Sequence, residues 1–353
     1  MKNIAIVGTV GLPACYGGFE SLVENLVRYR SNDIKYRVFC SKNSYVEHPE
    51  EIDGAKLTYI PLNANGIFSV LYDVVSLVYC TRYKPDTILI LGVSGCLFLP
   101  IFKCFSSARI VTNIDGLEWK RNKWGRFARK FLKWSESAAV KYSDIIVSDN
   151  QGIGDYVSEE YGLFSEIIAY GGDQALRDIQ VEKCHKYALG LCRIEPENNV
   201  EMILSAFSKL PMNIKFVGNW NNSDYGLNLK SKYEKHENIE LLDPVYDLDI
   251  LFRLRVNADL YIHGHSAGGT NPSLVEMMHF GVPIYAFDCK FNRYSTEEKA
   301  IFFEDDKDLL EKITTTCTIQ NKAVGASMKE IAQRLYRWQV IVESYEKIYQ
   351  TSK

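Results

Sequence analysis

The sequence predicts an α/β protein built from two doubly wound domains, and three observations lead to this fold class. Short apolar runs alternate with longer helical patterns, which is the rhythm of a parallel sheet covered by helices on both faces. The length of 353 residues exceeds the usual size of one hydrophobic core. The rhythm also stops at a glycine pair, "AYGGDQ" at 169–174, and starts again from Tyr187.

The apolar runs place the strands. In the first domain, strands are expected at Ile4–Gly8, Arg37–Cys40, Leu57–Ile60, Thr87–Leu91, Ile110–Ile114 and Ile145–Ser148. In the second, they are expected at Tyr187–Cys192, Ile214–Gly218, Ile239–Leu241, Leu260–Ile262 and Pro283–Ala286. Met328–Tyr349 has apolar residues at helical spacing and predicts one long amphipathic helix. The predicted domains are 1–168 and 169–327, followed by a C-terminal helical segment at 328–353.

Composition narrows the class of protein. The chain has 46% hydrophobic and 24% charged residues, a composition that excludes a fibrous or an intrinsically disordered protein. A formal net charge of −3 gives no overall electrostatic case for a nucleic-acid partner. The nine cysteines contain no C-x-x-C pair, which argues against a disulfide framework or a structural zinc site and favours a reducing cytoplasm.

Two segments superficially resemble membrane signals. The start, "MKNIAIVGTVGLPAC", looks like a signal peptide with a lipid-anchored Cys15, but its apolar run is short and broken by glycine, as in a first buried strand. The most apolar segment, Ile88 to Phe102, is too short to span a bilayer and is interrupted by glycines and Pro100. It is expected to be a buried strand that turns into a helix, and no transmembrane helix is predicted.

The loop after the first strand, "GTVGLPACYGGFESLVENL", is rich in glycine. Gly8, Gly11, Gly17 and Gly18 free the backbone, and Phe19 begins a helix whose amide end can hold an anion. A dinucleotide fingerprint fails, because there is no G-x-G-x-x-G and no acidic residue ends the second strand. On its own, this glycine-rich turn is equally consistent with a purely structural role and with contact to a ligand.

The loops of the second domain carry more information, because ligands gather at the carboxyl ends of parallel strands. Arg193 in "LCRIEPENN" follows a strand, where a guanidinium can grip a diphosphate bidentately; the alternative is a surface arginine paired with Glu195 or Glu197. In "HGHSAGGTNPSLVE", the glycines let a phosphate approach backbone amides. Thr270, Asn271 and Pro272 predict a capped, proline-started helix.

Glu276 lies one turn into that helix and can accept two hydrogen bonds from a ribose diol. His263 and His265 form an H-x-H pair, but no third metal ligand stands nearby at helical spacing. No metal site is therefore predicted.

Four stretches in this order, "YGGFESLVENL", "DGLEWKRNKWG", "GLCRIEPENN" and "GHSAGGTNPSLVE", resemble retaining GT-B glycosyltransferases of family four. More narrowly, they are similar to the bacterial rhamnosyltransferase subgroup, which builds capsule and cell-wall polysaccharides from dTDP-rhamnose on a lipid-diphosphate carrier. The resemblance covers nearly the whole chain. It implies two Rossmann-like domains facing a cleft, an N-terminal acceptor domain, a C-terminal donor domain and a last helix that packs back on the first domain.

The wider family's pair of glutamates survives only in Glu276, since the first position is Gly268, and its phosphate-binding lysine is Asn199. The subgroup shares both changes, which fit a deoxysugar donor held by backbone amides; a UDP- or GDP-sugar is the other donor class considered. No metal or cofactor is expected. The resemblance implies a donor-binding set of Gly17, Gly18, Arg193, Asn199, His265, Gly268, Gly269, Thr270, Asn271 and Glu276.

Asp115, Arg193 and Glu276 are the candidate catalytic residues. The resemblance implies front-face attack with retention, in which the leaving phosphate helps to deprotonate the acceptor hydroxyl and Asp115 orients that hydroxyl. An Asx turn that caps the loop "DGLEW" is the alternative for Asp115.

The segment "WKRNKWGRFARKFLKW" at 119–134 interleaves cations with aromatic residues and predicts a peripheral protein at the cytoplasmic face of the plasma membrane. An internal helix with solvated charges is the alternative. The residues expected to face the membrane or the lipid-borne acceptor are Trp119, Lys120, Arg121, Lys123, Trp124, Arg126, Arg129 and Lys130.

Two other functions stay open from the sequence. A sugar-nucleotide 2-epimerase uses the same architecture, but it needs carboxylates for proton abstraction, for which Asp115 and Glu118 are available. A non-enzymatic, membrane-associated binding protein would use residues 119–134 and leave the loop at 264–276 unexplained.

Overall fold

The computed structural model describes residues 1–15, 17–114, 116–120, 125–182 and 187–351. The chain forms two compact units: Met1–Tyr170 together with Trp338–Lys353, and Gly171–Arg337. Each unit is a mostly parallel sheet with helices between its strands, so the predicted α/β class is confirmed.

The described strands are β1 (Lys2–Val7), β2 (Ile34–Ser41), β3 (Glu51–Ile52), β4 (Ala55–Ile60), β5 (Thr87–Leu91), β6 (Arg109–Asn113), β7 (Ile145–Ser148), β8 (Glu166–Ile167), β9 (Tyr187–Leu191), β10 (Ile214–Val217), β11 (Ile239–Leu242), β12 (Ala258–His263), β13 (Ile284–Phe287) and β14 (Ile301–Phe303). The described α-helices are α1 (Gly18–Arg28), α2 (Ser69–Tyr83), α3 (Leu99–Phe102), α4 (Arg126–Tyr142), α5 (Gln151–Tyr161), α6 (Val200–Phe207), α7 (Asp224–Tyr233), α8 (Leu248–Val256), α9 (Pro272–Met278), α10 (Lys290–Ser295), α11 (Asp306–Thr315), α12 (Thr318–Leu335) and α13 (Trp338–Gln350).

Within the described residues, the sheet of the first unit has the order β3-β4-β2-β1-β5-β6-β7-β8. Only β3 runs antiparallel there, as a short edge strand against β4. The sheet of the second unit has the order β11-β10-β9-β12-β13-β14 and is parallel throughout its described strands. Parallel strands are covered on both faces, which is why their sequences read as continuous apolar runs.

Helix α13 completes the core of the first unit. Its Trp338, Tyr345 and Tyr349 are buried in the same apolar cluster as Ile4 of β1 and Tyr36 of β2. Two polar contacts fix its position: the Asn113 side-chain amide donates to the Tyr345 hydroxyl at 2.9 Å, and the Ser31 amide donates to the Glu346 carboxylate at 2.7 Å.

The single helix expected at Met328–Tyr349 is two helices in the structure. α12 ends at Leu335 and α13 begins at Trp338. The Tyr336 carbonyl accepts hydrogen bonds from the Gly172 amide at 2.7 Å and from the His279 ring at 2.9 Å, so it is used in tertiary contacts. The backbone of Tyr336 is correspondingly non-helical, with φ −117° and ψ 32°. Residues 328–337 therefore belong to the second unit, and the return to the first unit starts at Trp338.

Among the described residues, no helix has the length and apolar character needed to cross a bilayer. The segment Ile88 to Phe102 has the arrangement expected from the sequence. It forms the buried strand β5, a short 3-10 turn at Cys96–Phe98 and then α3.

Candidate functional site

Two loops of the second unit start side by side at the carboxyl edge of its sheet. β9 and β12 are paired in parallel, with Leu189 opposite Tyr261 and Gly190 opposite Ile262. The chain leaves β9 towards Arg193 and leaves β12 towards Gly264. Two of the sequence motifs thus lie at one edge of one sheet, where ligands of open parallel sheets bind.

Hydrogen bonds tie these two loops together. The Asn199 side-chain amide donates to the Gly264 carbonyl at 2.8 Å. Ser266 donates to the Glu197 carbonyl through its backbone amide at 3.0 Å and through its hydroxyl at 2.7 Å. The His265 Nδ1 atom lies 2.8 Å from the Asn198 side-chain oxygen. Asn199 and His265, both expected to bind the donor, therefore also hold the loop at 264–271 in place.

The loop at 264–271 requires glycine at two positions. A Cβ on Gly264 would overlap the carbonyl oxygen of Asn198, because the two loops approach closely there. Gly268 has φ +109°, a conformation that residues with a side chain rarely adopt. The predicted helix start is confirmed: the Asn271 side chain accepts from the Ser273 amide at 3.0 Å, and Pro272 is the first residue of α9.

Glu276 lies one turn into α9, and both of its carboxylate oxygens are engaged. Oε1 accepts from the Gln174 side-chain amide at 2.7 Å, and Oε2 accepts from Nη2 of Arg255. Burial raises the pKa of Glu276, whereas the Arg255 charge and the hydrogen bonds from Arg255 and Gln174 act to lower that pKa. The carboxylate is therefore held in a mostly buried site beside one cation.

Arg193 is more exposed than Glu276. Its guanidinium lies 3.7 Å from the Glu195 carboxylate, with 45% of the side chain exposed to solvent. An exposed ion pair of this length contributes little to stability. The Arg193 carbonyl accepts from the Asn198 amide at 2.8 Å, which fixes the backbone while leaving the guanidinium at the surface.

His263 ends β12 and is buried. Burial is the main cause of a pKa lowered well below the usual value for histidine, with the charge of His265 a smaller one, so the ring is neutral. Its Nε2 atom has no hydrogen-bond partner among the described residues. The rings of His263 and His265 are 6.0 Å apart, and in the described part of the chain no cluster of three His, Cys, Asp or Glu residues is arranged to hold a metal ion.

In the first unit, the glycine-rich loop after β1 lines a cavity of ≈ 290 Å³. Glu20 of α1 organises this loop: its Oε1 atom accepts from the Thr9 hydroxyl at 3.1 Å and from the Val10 amide at 3.0 Å. Gly17 has φ +149°, and a Cβ there would overlap the Glu20 carboxylate. Gly17 and Gly18, two of the predicted donor-binding residues, are both part of the cavity wall.

The basic and aromatic segment at 119–134 divides into inward-facing and outward-facing residues. The Trp119 indole donates to the buried Glu136 carboxylate at 3.0 Å, and the Tyr156 and Tyr161 hydroxyls donate to the same carboxylate, each at 2.6 Å. The Lys133 ammonium also contacts Glu136, at 3.2 Å. Trp119, predicted to face a membrane, is thus held by contacts within the first unit. Asp115, Arg121, Lys123 and Trp124 lie outside the described residues.

Three residues at the second unit's site were not singled out from the sequence. Arg255 is in the last turn of α8, a position that favours any cation, and Gln174 follows the glycine pair. Gly172 has no room for a Cβ because it lies against the backbone of Val275 and Glu276. The sequence signal at this position is the pair "GG" in "AYGGDQ", which indicates a domain boundary and does not reveal the contact with α9.

Comparison with known proteins agrees with this architecture. Residues 1–173 match a family described as a domain of unknown function (DUF1972), and residues 174–333 match the family Glycosyl transferases group 1. No curated protein matches the sequence significantly.

Similar solved structures cover nearly the whole chain. A sucrose-phosphate synthase from Thermosynechococcus elongatus is 14% identical with a TM-score of 0.81, covering 99% of this chain and 98% of that one. Anabaena HepE in complex with UDP is 13% identical with a TM-score of 0.76, covering 99% of both chains. A glycosyltransferase from Rickettsia africae is 13% identical with a TM-score of 0.72, covering 99% of this chain and 98% of that one. At such identities the likeness shows the GT-B fold alone.

The family match adds the chemistry to that fold, because it covers the unit that contains Arg193, the loop at 264–271 and Glu276. Residues 174–333 match the group 1 glycosyl transferase family, and together with the GT-B fold this match supports a glycosyltransferase.

Proposed function

We propose that this glycosyltransferase moves a hexose or deoxyhexose, with L-rhamnose from dTDP-rhamnose as the first candidate, to a lipid-diphosphate-linked saccharide. The transfer retains the anomeric configuration and serves capsule, O-antigen or cell-wall polysaccharide synthesis. The observation that carries the proposal is the joint placement of Arg193, the loop at 264–271 and Glu276 at one sheet edge. Anabaena HepE has been solved with UDP and with UDP-glucose, which supports a nucleotide-sugar donor.

Each part of the nucleotide-sugar has a candidate partner in the second unit. The Glu276 carboxylate accepts a hydrogen bond from the 3′-hydroxyl of the nucleotide's pentose. In a UDP- or GDP-sugar the 2′-hydroxyl of the ribose adds a second hydrogen bond, which the deoxyribose of dTDP lacks. The half-exposed Arg193 guanidinium faces the diphosphate, and the amides of Gly268, Gly269 and Thr270 add neutral donors. This set needs no metal ion to neutralise the leaving group.

The chemical step breaks the bond between the sugar C1 and the diphosphate oxygen and forms a bond from C1 to the acceptor hydroxyl oxygen. The acceptor oxygen attacks C1 from the face that the diphosphate leaves, so the configuration is retained. The hydroxyl proton passes to the departing phosphate oxygen on that face. Arg193 stabilises the negative charge that develops on the diphosphate. Asp115 orients the acceptor hydroxyl.

The decisive experiment is a donor panel of dTDP-, UDP- and GDP-sugars with a synthetic lipid-diphosphate monosaccharide as acceptor. We expect product only when both substrates are present, with an α-to-α or β-to-β relation between donor and product by NMR. Conversion of the nucleotide-sugar alone would instead identify an epimerase, and an inverted linkage would exclude the retaining mechanism.

Replacement of Glu276 by Ala or Asp115 by Asn should reduce turnover by about 100-fold or more, since each removes a group that orients a reacting partner. Steady-state rates at saturating acceptor measure this effect. Normal rates in both variants would remove these two residues from the mechanism.

A peripheral membrane position is also part of the proposal. The segment that precedes α3 is hydrogen-bonded to both α2 and α4, because the Gly95 amide donates to Asp73 of α2 at 3.0 Å and the Leu97 amide donates to the Ser135 hydroxyl of α4 at 3.3 Å. We use the name apolar-basic surface for the exposed side chains of α2, of α4 and of the segment 97–105 that contains α3: Leu71, Val78, Leu97, Ile101, Phe105, Phe127 and Trp134, together with the cations Arg126 and Lys130.

The charge of the apolar-basic surface favours an anionic bilayer. The acidic residues of these three helices, Asp73 and Glu136, are both buried, so no carboxylate of theirs opposes the cations. Phe127 is 91% exposed and Trp134 is 65% exposed, which is unusual for large apolar side chains. Aromatic side chains and cations of this kind bind the interface of an anionic membrane.

A further inference from the structure

Glu276 is held from two sides by residues that the proposed mechanism does not use. We infer that Arg255 and Gln174 are positioning residues that keep the Glu276 carboxylate ionised and oriented to accept hydrogen bonds from the pentose hydroxyls of the donor nucleotide. The inference rests on the proposed function and adds the groups that make Glu276 competent for it.

Arg255 is well buried, with 4% of its side chain exposed, and its Nη2 donates to Glu276 Oε2. Its guanidinium carbon lies 6.0 Å from the centre of the Phe280 ring, and its Nε atom has no hydrogen-bond partner among the described residues. Burying a cation with an incomplete set of hydrogen bonds is costly, and an apolar pair of similar volume is often more stable. A role in binding explains why a charged pair stands here.

Gln174 orients the other oxygen. Its amide donates to Glu276 Oε1 at 2.7 Å, and the chain just before it is pressed against α9, since Gly172 touches the backbone of Val275 and Glu276. A carboxylate oxygen accepts about two hydrogen bonds. The protein supplies one donor to each oxygen, so each oxygen keeps one acceptor position. The two ribose hydroxyls of UDP can fill both positions, and the single 3′-hydroxyl of dTDP can fill one.

The electrostatic balance at Glu276 depends on Arg255. Burial raises the pKa of Glu276, and Arg255 is the largest influence in the opposite direction. Other titratable groups stand on the elements packed around α9: Tyr261 on β12, Asp173 before Gln174, His279 just after α9, Lys329 on α12, and Arg337. Tyr261 and His279 are neutral near pH 7, because burial raises the pKa of the first and lowers that of the second.

Removal of the Arg255 charge changes the pH dependence of stability in a defined direction. A buried carboxyl whose folded-state pKa lies above its ordinary value stabilises the fold at low pH, and this contribution is lost as the pH rises through the folded-state pKa. Arg255→Gln raises the pKa of Glu276 further, so the variant loses more stability than the wild type on going from acid to neutral pH. The difference in Tm between the two proteins should therefore widen as the pH increases.

The first test needs no nucleotide. Tm is measured from pH 5 to pH 8.5 for the wild type, Arg255→Gln, Glu276→Gln and the double variant. We expect the Tm deficit of Arg255→Gln to grow by about 3 °C or more across this range. In the Glu276→Gln background the same change should give a deficit that does not vary with pH, because no carboxylate remains to titrate. If Arg255→Gln lowered the Tm by the same amount at every pH, with Glu276 present and with Gln at position 276, Arg255 would contribute packing alone.

The second test measures the Kd of UDP and dTDP by calorimetry over the same range. The quantity compared is the ratio of variant to wild-type Kd, which removes the titration of the nucleotide itself. For Arg255→Gln we expect this ratio to be about tenfold larger at pH 6 than at pH 8.5. The reason is that the ionised fraction of Glu276 falls about tenfold for each pH unit below its pKa. Arg255→Lys keeps the charge and should give a flat ratio.

Gln174→Leu provides the contrast between orientation and ionisation, because it removes a hydrogen bond and no charge. Its Kd should rise at every pH by a constant factor. A flat ratio for Arg255→Gln, or no change in Kd for Gln174→Leu, would overturn the inference. If the wild type binds neither nucleotide while the Tm deficit still widens with pH, the proposed function fails and the coupling between Arg255 and Glu276 stands.

Discussion

At the scale of single residues, the two glycine-rich loops are shaped by close approach. Glu20 accepts two hydrogen bonds from the loop after β1, and Gly17 leaves room for its carboxylate. Gly17 and Gly18 look equivalent in the sequence, but only Gly17 has a positive φ angle. Gly18 is the first residue of α1, and a Cβ added there would meet the Tyr170 ring at an ordinary van der Waals distance.

These neighbours form a matched pair for mutation. Gly17→Ala should lower the free energy of unfolding by about 1–3 kcal/mol, because alanine is strained at φ +149° and its Cβ overlaps Glu20. Gly18→Ala should be neutral or slightly stabilising, because alanine has the higher helix propensity. Urea unfolding of both variants measures the contrast, and equal losses would contradict this account of the loop.

At the scale of elements, the break between α12 and α13 assigns the C-terminal helices to different units. Tyr336 is buried at the break, and its hydroxyl donates to the Ser295 carbonyl at 2.8 Å. After the break, Trp338 enters the core of the first unit with 1% of its surface exposed. α13 is thus a structural part of the first unit, although it is distant from that unit in the sequence.

The contribution of α13 to the stability of the first unit can be measured by mutation of Trp338. Trp338→Ala should lower the free energy of unfolding of the first unit by about 3–5 kcal/mol through lost burial and a new cavity. Trp134→Ala is the control, because this tryptophan is mostly exposed and its removal should change stability by about 0.5 kcal/mol or less. Denaturant unfolding followed by tryptophan fluorescence and circular dichroism would show the difference, and a similar loss in both variants would contradict the assignment of Trp338 to the core.

At the scale of the whole molecule, the two units have different surfaces. The first unit carries the apolar-basic surface on α2, α3 and α4, whereas the second carries the candidate donor site at the carboxyl edge of its sheet. The proposed transfer, from a water-soluble donor to a lipid-borne acceptor, would use one surface on each unit.

Membrane binding should depend on the apolar-basic surface and on salt. The double change Phe127→Ala with Trp134→Ala should weaken co-sedimentation with anionic phosphatidylglycerol vesicles about tenfold, and raised ionic strength should weaken the wild type as well. Ile319→Ala is the matched control, because Ile319 is 81% exposed on α12 of the second unit. Binding that ignores lipid charge, or equal losses in the control, would speak against a membrane at this surface.

Much of the architecture follows from local sequence patterns. β5 and β7 have the predicted bounds, Thr87–Leu91 and Ile145–Ser148, because a strand buried on both faces is a continuous apolar run ended by turn residues. β3, β8 and β14 were missed, since strands of two or three residues are too short to show any pattern. The Asn271 cap and the Pro272 start of α9 were also readable, because capping involves residues that are adjacent in the chain.

The sequence by itself determined the α/β class, most of the strands, the turn chemistry around Gly268 and the motif that contains Glu276. Only the tertiary structure decided that Arg255 pairs with Glu276, that Trp119 turns inward to Glu136, and that the chain breaks at Tyr336. The physical reason is the distance along the sequence between the residues that determine each feature. Helix periods, caps and turns depend on residues a few positions apart, whereas a buried carboxylate takes its donors from whichever elements the sheet order brings beside it.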